Sequence, residues 1–290
     1  MLVSDSEALE AIFRLGKIPV ACHCEDEKII RANSAAYREE YGDAISPSYH
    51  PLIRSREACL SSSTAAVNLA RQTGAKLHLL HLSTAEETEL LIAGDDPAGK
   101  QIIGEACVHH LWFDDSAYAE KGNLVKWNPP IRRQSDREAL VKAVRDGLID
   151  IIATDHAPHT LEEKSAPYFS APSGGPTIQH SLVMMLELCN RGELTPELIV
   201  KKMCHNPALL FGITDRGFIR EGYKADLVLV DPASPWTVSR ENILYKCGWS
   251  PLEGTTFRSS VVTTIVNGIT VFEEGRLTGR RAPEMLHFRR

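Results

Sequence analysis

Four short apolar runs in this chain each lead to a residue that can bind a metal ion or move a proton. Ile18-Pro19-Val20-Ala21-Cys22 stops at His23, Lys76 to Leu82 holds His81, Gln101 to Val108 runs into His109-His110, and Asp150 to Thr154 stops at Asp155. Imidazole and carboxylate are the donors a divalent ion such as zinc takes when one position stays open for water. One such placement is weak evidence; its recurrence at strand ends is stronger, because in a βα barrel those ends share one mouth. A carboxylate at the end of a buried strand is costly unless it is paired or metal-bound. That makes Asp155 a candidate ligand and proton carrier. His159, four residues further on in a proline-containing loop, suits an anionic substrate group. Asn128 precedes Pro129-Pro130 in a rigid extended turn where its amide can hold a substrate. Gly174 and Gly175, between Pro172 and Pro176, let backbone N–H groups approach a ligand or simply connect two elements.

Strand parity sorts the neighbours. His78 and His81 are three apart and point to opposite faces, so His81 is expected at the mouth and His78 in the core. Cys22 and Cys24 flank His23 and point away from it, which argues against a thiolate site there. His109 and His110 are adjacent and expected to diverge, with at most one at the mouth. His156 reads equally well as an ordinary loop histidine.

The elements that must position these groups alternate. Ser4 with Glu7 reads as a capping box opening a first helix. Helical spacing covers Glu27 to Tyr41, Ser55 to Gln72, Thr84 to Ala93 and Ser135 to Arg145, with Pro47 to Pro51 as a loop and Asn123 to Trp127 as a short extended piece. Short, almost wholly apolar strands separated by helices are the signature of a parallel sheet covered on both faces. After about Asp215 the pattern changes. Ala225 to Asp231 and Val261 to Phe272 are β-rich, and Asn267-Gly268 is a two-residue hairpin signal. Asn206-Pro207 reads as a helix N-cap followed by proline at the first position. The expectation is α/β: a partial TIM-type (β/α) barrel over 1–215, with a small antiparallel β module over 216–290.

With 43% hydrophobic residues in 290, the chain can bury a large core. Lys and Arg total 32 against 38 Asp and Glu, a net charge of −6, which argues against a nucleic-acid partner. No apolar run reaches the 18 residues of a membrane span. The polar start does not read as a secretory signal. Seven scattered cysteines without CxxC fit a reducing cytoplasm better than a disulfide scaffold.

Taken in order, His-Cys-Glu-Asp at 23–26, His-Leu-Ser-Thr at 81–84, Val-His-His-Leu at 108–111, Asn-Pro-Pro at 128–130 and Ala-Thr-Asp-His-Ala-Pro-His at 153–159 resemble dihydroorotases of the amidohydrolase superfamily. Asn-Pro-Ala at 206–208, Ala-Asp-Leu-Val-Leu-Val-Asp at 225–231 and Trp-Ser-Pro-Leu-Glu-Gly at 249–254 extend the resemblance over nearly the whole chain. It is nearest the long-chain bacterial type, and allantoinases and hydantoinases share several of these strings. The resemblance implies a TIM-type barrel with a small β-sandwich and a metal pair, usually zinc, interconverting N-carbamoyl-L-aspartate and L-dihydroorotate. It implies that His23 and His81 bind one metal, and that Asp155 binds the other and acts as acid and base. Asn128 and His159 would hold the substrate, with Gly174 and Gly175 beside its ring.

One departure qualifies this. The family's His-x-His pair and its metal-bridging lysine have no counterpart here, and the chain reads as the second half of the barrel. The expectation is a truncated enzyme that alone binds zinc weakly and turns over little. The competing readings are a non-catalytic partner of aspartate transcarbamoylase, a homo-oligomer among the possibilities, and a hydrolase of another cyclic amide.

Overall fold

The computed structural model describes residues 3, 5–16 and 18–289. It divides into two compact units, one reaching Asp95 and resuming over Gly99–Thr177, the other made of Asp96–Ala98 and the chain from Ile178.

The first unit is built on four strands, β1 (Val20–Cys22), β2 (Leu77–Leu79), β3 (Ile102–Cys107) and β4 (Ile149–Ala153). All neighbours are parallel and the spatial order is β1-β2-β3-β4. A doubly wound sheet reverses its strand order at a switch point, whereas a βα barrel adds strands in sequence order. The observed order is therefore the barrel type, and all four carboxyl ends lie along one edge. Leu77 and Leu79 are fully buried, as are Ile103, Ala106 and Ile149. Burial on both faces explains why β2, β3 and β4 read as continuous apolar runs, whereas β1, expected to be covered likewise, is only partly buried, with Ala21 exposed.

Helices Glu27–Tyr41, Arg56–Thr73 and Gln134–Arg145 fill the connections where their spacing places them. Asp26 caps the first through Lys28 N at 2.9 Å, and Ser55 the second through Ala58 N at 3.3 Å. The capping role of Ser4 lies outside the described residues; the helix Ser6–Phe13 is capped by Asp5, which accepts from Ala8 N at 2.8 Å.

Several expectations are corrected. The Thr84 helix is only Ala85–Thr88, held by a Thr84/Glu87 capping box, and then tightens into turns with Leu91 N bonded to Thr88 O. Gly122–Val125 is a 3₁₀ turn and not extended, because its backbone closes locally through Lys126 N to Asn123 O at 3.1 Å. Pro47–Tyr49 is a 3₁₀ turn capped by Ser46, and a helical turn His50–Ile53 follows it. His109 and His110 lie in the helix Val108–Trp112, so strand parity does not govern them.

In the second unit, β5 (Leu227–Asp231), β8 (Ser260–Val266), β9 (Ile269–Glu273) and β10 (Arg276–Leu277) form an antiparallel sheet, and β6 (Trp236–Thr237) pairs with β7 (Thr256–Phe257). Asn267 and Gly268 join β8 to β9 with φ of 50° and 77°, the two left-handed residues a type I′ turn demands. Asn206 does not cap a helix. It continues a helical run from the π turn Lys201–His205, with Pro207 in the first turn. Among the described residues no helix is long and apolar enough to cross a membrane, and all seven cysteines are free.

Candidate active site

His23 and His81 follow adjacent parallel strands and meet. His23 Nδ1 lies 3.0 Å from His81 Nε2, the rings at 76°. The other nitrogen of His23, Nε2, sits 2.9 Å from Glu25 Oε2. An ionised carboxylate only accepts, so Nε2 carries the proton and Nδ1 presents its lone pair toward His81. Two imidazole nitrogens bound to one ion at about 2.0–2.1 Å would be separated by roughly 3–3.4 Å, so the pair has the spacing of two ligands of a single metal. His81 is 6% exposed, and burial, followed by the nearby His23, lowers its pKa to about 4, which keeps it neutral as a ligand must be.

Glu25 is held as firmly as it holds. Burial alone would raise its pKa, but hydrogen bonds from His23 and Arg54 outweigh that and bring it to about 2. Arg54 Nη2 is 2.5 Å and Nε 2.9 Å from its two oxygens, a bidentate pair. The sequence offered a signal for this residue: i and i+2 share a side in extended chain, so the parity that turned Cys22 and Cys24 away from His23 aligns Glu25 with it. Arg54, 29 residues away, left no such local trace.

Asp155 follows β4 and is exposed as a residue, so the desolvation cost that singles it out in the sequence is smaller than expected. Its pKa is nonetheless raised, by the protein packed around the carboxyl and then by the charge of Glu105, with His23 acting in the opposite sense. It therefore shares an electrostatic neighbourhood with His23. Asp155 and His81 have φ of 42° and 38°, left-handed values that cost energy outside glycine. Such strain at two strand ends of one sheet edge marks a place where side-chain direction outweighs backbone comfort. His78 takes the core position expected of it, with Nε2 3.0 Å from Glu105 Oε2.

The remaining candidates lie around a loop. Asn128 borders a cavity of about 220 Å³ with His50, Arg54, Lys126, Tyr168 and Ser173, and its Oδ1 is buried without a hydrogen-bond partner. His159 Nε2 is 3.2 Å from the Ser173 carbonyl. Gly174 has φ of 118° and its N–H donates to Lys126 O at 2.8 Å; a Cβ there would stand 2.5 Å from Ala157 O. A Cβ on Gly175 would stand 2.7 Å from the Trp127 ring. Both glycines are thus demanded by close packing. Two buried lysines tie the loop down: Lys126 Nζ donates to Tyr168 O and Ala171 O at 2.7 and 2.6 Å, and Lys164 Nζ to Pro172 O and Gly174 O at 2.9 and 2.8 Å. Burial, and then Arg54 beside the first and Lys126 beside the second, lowers their pKa values to about 8 and about 7.

His50 closes the wall. Its Nε2 donates to Trp127 O at 2.7 Å, so Nδ1 accepts from Tyr168 Oη at 2.7 Å. Burial, then Lys126, lowers its pKa to about 3, and burial first also takes His110 to about 3. A buried neutral histidine stabilises the fold fully above the unfolded pKa near 6.5, and loses that contribution as pH falls toward the folded value. Unfolding should therefore take up at least one proton between pH 6.5 and 5, lowering stability by about 1.4 kcal/mol per pH unit for each proton. Urea titrations in chelator-treated buffer check this, and a pH-independent unfolding free energy across that interval would contradict it.

The amidohydrolase family profile matches residues 5–271. The chain is 36% identical over 256 residues to a dihydroorotase of Halobacterium salinarum, covering 88% of this chain and 57% of that protein. It is 34% identical over 260 residues to a dihydroorotase of Clostridium acetobutylicum, covering 89% and 59%. Among solved structures, an L-hydantoinase (dihydropyrimidinase) from Arthrobacter aurescens superimposes with a TM-score of 0.86 at 27% identity, over 96% of this chain and 62% of that one. The chain thus spans about three fifths of the length of these three proteins.

Proposed function

Because the chain belongs to the amidohydrolase family, we propose that its strand-end site serves a dihydroorotase-type hydrolysis of a cyclic amide, interconverting L-dihydroorotate and N-carbamoyl-L-aspartate. The observation that carries this reading is the His23 Nδ1 to His81 Nε2 approach of 3.0 Å at neighbouring strand ends, with the Asp155 carboxyl in the electrostatic reach of His23. His23 and His81 would hold a zinc ion, which when bound polarises the amide carbonyl and acidifies water. Glu25 keeps His23 in the tautomer that exposes Nδ1. Asp155 accepts the proton of the attacking water and returns it to the ring nitrogen as the C–N bond breaks, and ring closure runs the same transfers backward. Asn128 and His159 orient the substrate from the loop side, His159 at its carboxylate.

Two histidines at one ion, with Asp155 the single ligand of a second, fall short of the three protein ligands usual at a catalytic zinc. The His23–His81 pair should accordingly hold zinc weakly and lose it on dialysis, and these 290 residues should turn over slowly. Structural zinc sites are worth roughly 10–16 kcal/mol over four ligands, or about 3 kcal/mol each. His23→Ala or His81→Ala should therefore weaken zinc binding at this pair by about 10²- to 10³-fold, as a competition titration with a chelating dye would measure. Unchanged affinity in both variants would remove the pair from the metal site.

The reaction is tested by following L-dihydroorotate and hydantoin hydrolysis with excess zinc. Slow, zinc-dependent opening of dihydroorotate in preference to hydantoin is the expected result. Turnover that is absent, or indifferent to zinc, would overturn the assignment, and a preference for hydantoin would favour the hydantoinase-type reading that the Arthrobacter likeness suggests. A non-catalytic partner of aspartate transcarbamoylase has no need of the ligands and strained strand ends kept here.

A further inference from the structure

We propose that Cys107, His109 and His110 form a second metal site, separate from the His23–His81 pair, for a thiophilic divalent ion of the zinc class. Among the described residues this is the one group of three or more metal-ligating side chains whose ligand atoms all lie within 4.8 Å of one another. It arises where β3 ends and the helix Val108–Trp112 begins: the change from strand to helix folds residues 107, 109 and 110 back on themselves, the imidazole centroids of 109 and 110 coming to 4.2 Å.

Three features suit the group to a metal. All three residues are buried, at 0%, 0% and 3% exposure, so an ion there would not exchange its protein ligands for water. His110 Nε2 lies 3.0 Å from the Pro129 carbonyl, which can only accept, so Nε2 is protonated and Nδ1 bears the lone pair. That Nδ1 is buried with no hydrogen-bond partner, an acceptor whose desolvation nothing else offsets. The ring of His109 is fixed flat against Trp127, at 4.4 Å and 11°, so its direction is set before any ligand arrives. Charge also closes: a divalent ion with one thiolate leaves one positive charge, and Glu105 Oε1 stands 4.0 Å from Cys107 Sγ to offset it. Thiolate with two imidazoles selects zinc, cobalt or a softer ion over magnesium and calcium.

The site stands independently of the proposed hydrolysis and is read without it. Cobalt(II) added to the zinc-free 290-residue chain should produce a near-ultraviolet thiolate-to-cobalt charge-transfer band that saturates at one equivalent. The band should vanish in Cys107→Ser and persist in His23→Ala, whereas magnesium should produce no competition. Absence of the band in the unsubstituted chain would overturn the proposal, as would a band that survives Cys107→Ser and so belongs to another cysteine. Should Cys107→Ser fail to fold, His110→Gln, which keeps a side-chain donor for the Pro129 carbonyl, must abolish or shift the band; an unchanged spectrum there would also overturn it.

Discussion

If the proposed function holds, Asp155→Asn should slow L-dihydroorotate hydrolysis by about 10²- to 10⁴-fold, the range that a positioned acid–base group contributes. The substitution probes the proposed proton-transfer role because the backbone tolerates it. Asp155 has φ of 42°, and asparagine is among the few residues that occupy the left-handed region readily, whereas alanine would add strain of its own. The amide keeps the size and polarity of the carboxyl but cannot accept and return a proton at neutral pH. The loss should fall on kcat with KM nearly unchanged, since the group acts on the reacting atoms more than on substrate capture. Because turnover of these 290 residues is expected to be slow, the ratio of variant to unsubstituted rate is the quantity to measure, under saturating zinc. A ratio within threefold of unity would remove Asp155 from the chemistry.

Glu25→Ala should destabilise the fold by about 3–5 kcal/mol, the cost of breaking a buried ion pair from one side. The Glu25 side chain is fully buried and the Arg54 side chain 15% exposed, so the guanidinium would be left with its charge uncompensated and His23 without its Nε2 partner. Urea unfolding of the two proteins measures the difference. Two further variants separate scaffold from site. Glu25→Leu combined with Arg54→Met removes both charges and should recover most of the stability, because a matched apolar pair avoids the desolvation that the ion pair carries. It should leave zinc affinity at the histidine pair depressed by about 10- to 100-fold, since nothing then orients His23. If affinity returned with stability, Glu25 would be a structural residue alone.

Much of the first unit's architecture was legible along the chain because it depends on local regularities. Continuous apolar runs ending in His23, His81 and Asp155 identified parallel strands and their carboxyl ends, although the first of them is only partly buried, and in the second unit Asn267-Gly268 announced a hairpin through the φ values its turn requires. The candidate site lies at those ends because a parallel sheet delivers every strand terminus to the same edge, whatever the separation in sequence. What was not legible depends on contacts between distant residues. The sequence alone could not show that Arg54 would clasp Glu25 across 29 residues, or that Lys126 would reach the carbonyl of Tyr168 across 42. Nor could parity foresee Cys107, His109 and His110 closing on one another, since it holds only while the chain stays extended and β3 gives way to a helix at Val108. Periodicity reports which face a residue turns to its neighbours in the same element. Which partner waits on that face, and therefore which nitrogen of a histidine is free and which carboxyl is held charged, is decided only when separate elements pack and exclude water between them.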